Sequence, residues 1–221
     1  QFLKYNNLDM IRQFKTGLKL IYRLSASQDF ISIESRYDHV EVHDIVRISN
    51  IYPSYLVNNE RDNWFLTTAV RLTSERRNNK LFPTSGHYSS LNLKHRLHEG
   101  AFYNFSINLK HTTHLRVADN GHIGLSFDAY HTNISNPSYY VLPALGYQHL
   151  VRGFEDYVIT GESFGLIKTH YKHKIYSKEH RIKAMPLKAY KTLPLEIYAS
   201  THFDGGYMDN PKLDPQITLQ N

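Results

Sequence analysis

Val151, Arg152, Gly153 and Phe154 set a permanent cation in the middle of a turn-rich stretch, Asn133 to Thr160, that separates segments of alternating apolar and polar residues. A connection this much longer than a hairpin loop is expected to be functional on length alone. Other constellations carry less. His95 with His98, His111 with His114, and His170 with His173 are spaced i, i+3; on a helix such a pair could share a metal ion, but on a strand an odd spacing sends the two rings to opposite faces. No GxSxG surrounds any serine, so a hydrolase nucleophile has no recognisable setting. Gly161 and Gly165 read as strand residues, and Gly205 and Gly206 as a strand end, so no glycine-rich phosphate loop is expected. The expectation is a protein that is not an enzyme, with no cofactor and no metal.

The elements that must position Arg152 follow from period-two alternation. Leu18, Leu20, Tyr22 and Leu24 form one apolar parity, with Lys19 and Arg23 opposite. Phe30 to Tyr37 and Val40 to Ile51 read as two further β-rich stretches, and Trp64 to Glu75 follows. Tyr88 to Leu97 sets Leu91, Leu93 and Leu97 against Asn92, Lys94 and Arg96. In Phe102 to His111, Phe105, Ile107 and Leu109 alternate with Asn104, Ser106, Asn108 and Lys110. Gly121 to His131 places Ile123, Leu125, Phe127 and Ala129 opposite His122, Ser126, Asp128 and Tyr130; Gly161 to Ile175 and Leu193 to Asp204 complete the set. Leu8 to Phe14 is compatible with a turn or two of helix but scores no better than a strand. Ser177 to Thr192 reads as a basic connection, because Pro186 excludes it from a central strand. The result is an all-β chain of about eight or nine strands of roughly ten residues, long for a soluble sheet and close to what a tilted bilayer crossing requires.

Composition agrees with that reading. The chain has 221 residues, 41% of them hydrophobic, which supports one large domain spanning 1–221. Mean hydropathy is −0.50, and no run approaches the roughly 20 apolar residues of a membrane-spanning helix. Strands of a membrane barrel escape such a window, since lipid-facing and lumen-facing residues alternate. Seventeen tyrosines and 11 phenylalanines are the excess expected of aromatic girdles at a membrane interface. Cysteine is absent, which removes disulfides and thiolate chemistry. The formal charge is +6, but the basic residues are dispersed along strands, which argues against a nucleic-acid partner. Gln1 opens directly into mixed sequence with no signal peptide, as expected of a fragment of a longer protein.

The VRGF of residues 151–154 resembles the signature of the BamA/TamA superfamily of outer-membrane barrels. In that family the loop carrying it folds back inside the barrel, and its arginine bonds acidic groups on the lumen wall. Phe82, Pro83, Thr84, Ser85 and Gly86 are similar to the family's FPxxG element, which precedes a strand start. The order of strand, long loop and two further strands also matches, over roughly residues 60 to 210. The resemblance implies a partial antiparallel transmembrane β-barrel, roughly eight to ten of the sixteen strands, with a long inward-folded loop. It places the first acidic partner near His170, where the family has a glutamate and this chain departs. The second partner falls on Asp204, followed by Gly205. Parity puts Asp204 on the polar side with Glu196, Ser200 and His202, and His170 with Lys168 and Lys172. A loop arginine in so basic a wall needs a carboxylate, and its planar fork suits one. The expected latch is Val151, Arg152, Gly153 and Phe154 with Asp204 and His170, Gly153 allowing a sharp turn and Phe154 packing beneath.

What the resemblance implies about function is an assembly factor of the bacterial outer membrane that folds and inserts β-barrel clients without covalent chemistry. Its partners would be outer-membrane lipids, unfolded barrel proteins and accessory lipoproteins, and its edge strands are expected outside this fragment. Two other readings stand beside it. One is a two-partner secretion pore of the same superfamily. The other is a soluble β-sandwich whose tyrosines bind carbohydrate.

Overall fold

The structure is a computed structural model that describes residues 2–5, 8–24, 28–44, 54–134, 136–146, 149–154, 158–181 and 192–210. Its strands are β1 (Phe2–Tyr5), β2 (Leu8–Leu24), β3 (Asp29–Val42), β4 (Asp62–Glu75), β5 (Gly86–His98), β6 (Ala101–Arg116), β7 (Gly121–Ile134), β8 (Ala144–Leu145), β9 (Ile159–Thr160), β10 (Ser163–Arg181) and β11 (Thr192–Asp209). Nine of them form one antiparallel meander in the order β1-β2-β3-β4-β5-β6-β7-β10-β11, while β8 and β9 pair with each other inside the long connection. No two large sheets face each other among the described residues, so the β-sandwich reading is corrected: one sheet curves around its own contents.

Side-chain parity explains the curvature. Leu18, Leu20, Tyr22, Ile33, Leu72, Phe105, Ile107, Leu109, Leu125, Phe127, Ile167 and Phe203 all stand exposed on the outer face. Thr67, Ser90, Asn92, Asn104, Ser106, Asp128 and Thr132 are buried on the inner one. A water-soluble sheet buries the opposite set. The inner face is bridged by hydrogen bonds between neighbouring strands, including Asn104 Nδ2 to Thr132 Oγ1 (2.8 Å) and Asn108 Nδ2 to Asp128 Oδ1 (2.7 Å), while Arg36 Nε donates to Asp38 Oδ2 along β3 (2.9 Å).

Several boundaries differ from those read in the sequence. Phe30 to Tyr37 and the start of Val40 to Ile51 are one strand, β3, and residues 45–53 lie outside the described residues. Leu8 to Phe14 is the first half of β2. Ser177 to Arg181 belongs to β10 because it continues the ladder with β11, whereas Pro186 lies outside the described residues. Gly161 precedes β10, and Gly205 and Gly206 sit within β11. The strands of the meander beyond β1 run 13 to 19 residues, longer than a bilayer crossing requires, so their ends extend beyond it. Alternation alone also missed a bulge: Arg96 pairs with Asn104 and Leu97 with Phe102, leaving Tyr103 unpaired. The extra residue reverses parity, so Phe102 points out while Tyr103 and Asn104 both point in.

The end of the sheet from which the long β7–β10 connection rises is termed the upper end. The tight β5–β6 turn lies there too, with Glu99 and Gly100 both at positive φ (50° and 81°), the two-residue geometry that matches strand twist. At the lower end, the β4–β5 connection is shaped by Asn78, whose Oδ1 accepts the amides of Thr84 and Ser85 at 3.1 Å each. That turn carries Phe82 across the concavity to Tyr198 on β11 (4.9 Å between centroids), and the Lys172 ammonium of β10 lies 3.8 Å over the Phe82 ring. Gly86 makes the turn feasible, with φ +93° and a hypothetical Cβ only 2.0 Å from the Arg76 carbonyl oxygen. Gly86→Ala therefore combines left-handed strain with a backbone collision and is expected to destabilise the fold by about 3 kcal/mol. Urea unfolding of the full-length parent protein in detergent checks this, and a midpoint equal to wild type would show that the turn has another accessible form.

Candidate functional site

The long connection between β7 and β10 enters the concavity and is fastened there at three levels. The tip carries Arg152. Its Nη1 donates to Asp204 Oδ1 at 2.8 Å, and its backbone amide donates to Asp204 Oδ2 at 3.2 Å. The carboxylate is 1% exposed and the arginine side chain 52%. Lys168, the register partner of Asp204 across β10 and β11, places its Nζ 3.9 Å from Oδ2, so one acid faces two cations. Gly153 adopts φ +84°, and the Phe154 amide closes the turn on the Val151 carbonyl at 3.0 Å.

Two site residues are placed differently from expectation. Phe154 does not pack beneath the turn but stands 60% exposed; the apolar anchor is Val151, which packs against the buried cluster of Leu145, Phe164 and Leu166. A Cβ on Gly206 would lie 3.0 Å from Val151 Cγ2, so the glycine two residues beyond Asp204 makes room for the motif's valine. His170 is lumenal, as parity requires, yet its ring contacts are with His114 (5.4 Å) and His202 (5.9 Å), not with Arg152. The imidazole occupies the space over Gly124, where a Cβ would come within 2.1 Å of it. A ring that fills volume there offers the arginine no negative charge, as a carboxylate would.

A second anchor was not singled out from the sequence. Asp128 on β7, 5% exposed, accepts from Asn108 Nδ2 and stands 3.0 Å from Nδ1 of His149, three residues before Arg152. The His149 ring also lies tilted against Phe164, 4.5 Å between centroids. The available signal was parity, since Asp128 is the one acid on the inward side of its strand.

The third level is aromatic. Tyr140 packs against Phe65 (5.7 Å) beside Tyr103, Val141 and Leu142, and its hydroxyl bonds Gln13 Nε2 of β2. Tyr103 Oη donates to the Asn136 carbonyl at 2.8 Å. Burial, helped by the Asp38 carboxylate, pushes the Tyr140 phenol up to about 12, so it remains a neutral hydrogen-bonding group. Tyr139 and Tyr140 amides bond the carbonyls of Ser54 and Tyr55 at 2.9 and 3.1 Å, tying the loop to the segment that precedes β4. His95 and His98 are separated as strand spacing requires: the His95 ring lies tilted against Phe102 and the His98 ring against Phe65.

Because both the side chain and the amide of residue 152 bond Asp204, Asp204→Ala removes two attachments and Arg152→Ala only one. Charged hydrogen bonds of this kind contribute about 1.5–3 kcal/mol, less when half exposed. Limited chymotrypsin digestion within the 135–160 loop of the full-length protein, which retains its aromatic cleavage sites in both variants, is expected to accelerate more for Asp204→Ala than for Arg152→Ala. Equal rates for both variants and wild type would show that the ion pair does not hold the loop.

No curated protein matches the chain. Among solved structures it is similar to BamA from Haemophilus ducreyi lacking POTRA domains 1–3, at 11% identity and a TM-score of 0.59, over 88% of this chain and 42% of that one. The chain thus spans less than half the length of the structure it matches. Its fold is that of part of a transmembrane β-barrel. Residues 4–163 match the Omp85 superfamily domain, and with well over half of its length so covered the chain belongs to the Omp85 superfamily.

Proposed function

We propose that this chain is part of an outer-membrane barrel that assists the folding and insertion of other β-barrel proteins. The observation that carries the reading is the loop arginine engaged with Asp204 inside a polar concavity, on a sheet whose outer face is apolar. Such a sheet is matched to hydrocarbon outside and water inside.

The work requires no bond-making residue. Unpaired backbone amides and carbonyls are costly in lipid, so an available sheet edge lowers the barrier by pairing with an incoming client strand. The anchored loop keeps the concavity occupied while this happens. Partners on this reading are the outer-membrane lipids, unfolded barrel proteins and accessory lipoproteins.

Depletion of the full-length parent protein in its own cells tests the reading. The expected result is a severalfold fall in the heat-modifiable, folded form of several unrelated outer-membrane barrels, restored by the wild-type gene. If those barrels remain at normal levels while one secreted protein is lost, the insertion reading fails and the chain serves a secretion pore.

A further inference from the structure

At the upper end of the sheet, outside the arginine latch, Glu60, His98 and Glu99 converge. One imidazole nitrogen and one oxygen from each carboxylate lie within 4.8 Å of one another. Glu60 ends the 3-10 turn before β4, and His98 and Glu99 form the last position of β5 and the first of its turn. The three therefore join two connections that are distant in sequence.

The surroundings fix the ligands rather than neutralise them. His98 lies against Phe65 (5.2 Å) and Tyr103 (5.7 Å), and its Nε2 is buried with no hydrogen-bond partner among the described residues. Behind Glu60, Asn63 Nδ2 donates to Oε2 at 2.8 Å, while Asn63 Oδ1 accepts the Val57 amide at 2.8 Å. Asn63 is itself 1% exposed, so the carboxylate is oriented by a rigid outer layer, as metal ligands commonly are. Neither Glu60 nor Glu99 has a basic side chain within ion-pair distance among the described residues. Two adjacent carboxylates beside an unsatisfied imidazole form an uncompensated negative site.

We propose that Glu60, His98 and Glu99 bind a divalent transition-metal ion, with zinc as the best match. An imidazole with two carboxylates supplies three ligands and leaves an open fourth position, a set that suits zinc better than the all-oxygen shells of calcium or magnesium. Ligands about 2.1 Å from a shared ion are roughly 3.4 Å apart, so atoms within 4.8 Å of one another must draw in by up to about 1.4 Å, which the exposed Glu99 can supply by rotating. The ion would fasten the β5–β6 turn to the segment whose Ser54 and Tyr55 carbonyls hold the inward loop and whose Asn58 Oδ1 accepts from Asn136 Nδ2 at 2.6 Å. Metal binding thereby stiffens the upper closure of the barrel. This inference is independent of whether the protein inserts clients or exports a substrate.

Fourteen histidines can bind zinc nonspecifically, so the test is a difference between variants. The full-length protein in detergent, stripped with EDTA, is titrated with zinc chloride by calorimetry. Wild type and His95→Ala, whose ring lies tilted against Phe102, are expected to show one saturable equivalent that Glu60→Gln, Glu99→Gln and His98→Ala weaken about tenfold or more. Zinc should also slow chymotryptic cleavage within residues 54–61 in wild type and leave the Glu99→Gln rate unchanged. Glu99→Gln sits at an exposed turn and keeps the fold even if His98→Ala does not. Indistinguishable titrations for wild type, Glu60→Gln and Glu99→Gln overturn the proposal.

Discussion

A sheet whose outer face is built from leucine, isoleucine, phenylalanine and tyrosine must turn the charges of its strands inward, and this constraint governs everything the concavity contains. Lysines and arginines outnumber acids there, and confinement between strands reduces the water available to screen them. The structure answers with short-range pairing. Arg36 faces Asp38, Lys168 faces Asp204, and Lys174 Nζ reaches Glu196 at 2.7 Å. Asp128 and Asp204 remain as acceptors for groups from elsewhere in the chain, and His149 and Arg152 of the long connection fill that role. The loop is thus complementary to a charge pattern that strand parity imposes on the wall.

Anchorage at three levels divides the labour. Tyr140 and its aromatic neighbours exclude water near β2, β4 and β6, where area burial dominates. Asp128 is nearly enclosed and His149 only partly exposed, so their contact is less open to water than the tip. Arg152 is half exposed, so its release returns a guanidinium to water at modest cost. The tip is consequently the part of the loop that can open first, while the aromatic end stays closed. Gly206, by lacking a side chain, lets Val151 sit against β11, which couples the apolar and ionic contacts of one four-residue turn.

Much of this was legible from residue alternation. Leu91, Leu93, Phe105, Ile107 and Leu109 were assigned a common face, and they share it because period two is a property of the extended backbone. Asp204 was placed inward by the same parity and is inward. What alternation cannot register is an interruption of itself. The bulge at Tyr103 shifts one residue without any glycine or proline to mark it, and only the tertiary demand for a ring against Phe65 and Tyr140 explains it. Strand ends were also misjudged at Gly205 and Ser177, because ladder pairing with a neighbouring strand overrides local propensity. Phe154 was expected to pack as a member of the four-residue motif, yet Val151 on the other side of the turn takes that role.

The substitution of histidine at position 170 changes the balance of the latch rather than its location. In the resembling family a glutamate at that point offers the loop arginine a second acid. Here His170 is register-paired with His202 and lies beside His114, forming a row of rings in which that of His170 fills the space over Gly124. Among the described residues Asp204 is then the one acid paired with Arg152, and Lys168 competes for the same Oδ2 that receives the Arg152 amide. One carboxylate shared by two cations holds each less tightly than two carboxylates would, so the burden of keeping the loop inside passes to Val151, His149 and the tyrosines. The chain therefore keeps the inward loop of its family while shifting its fastening from paired charges towards rings and shape.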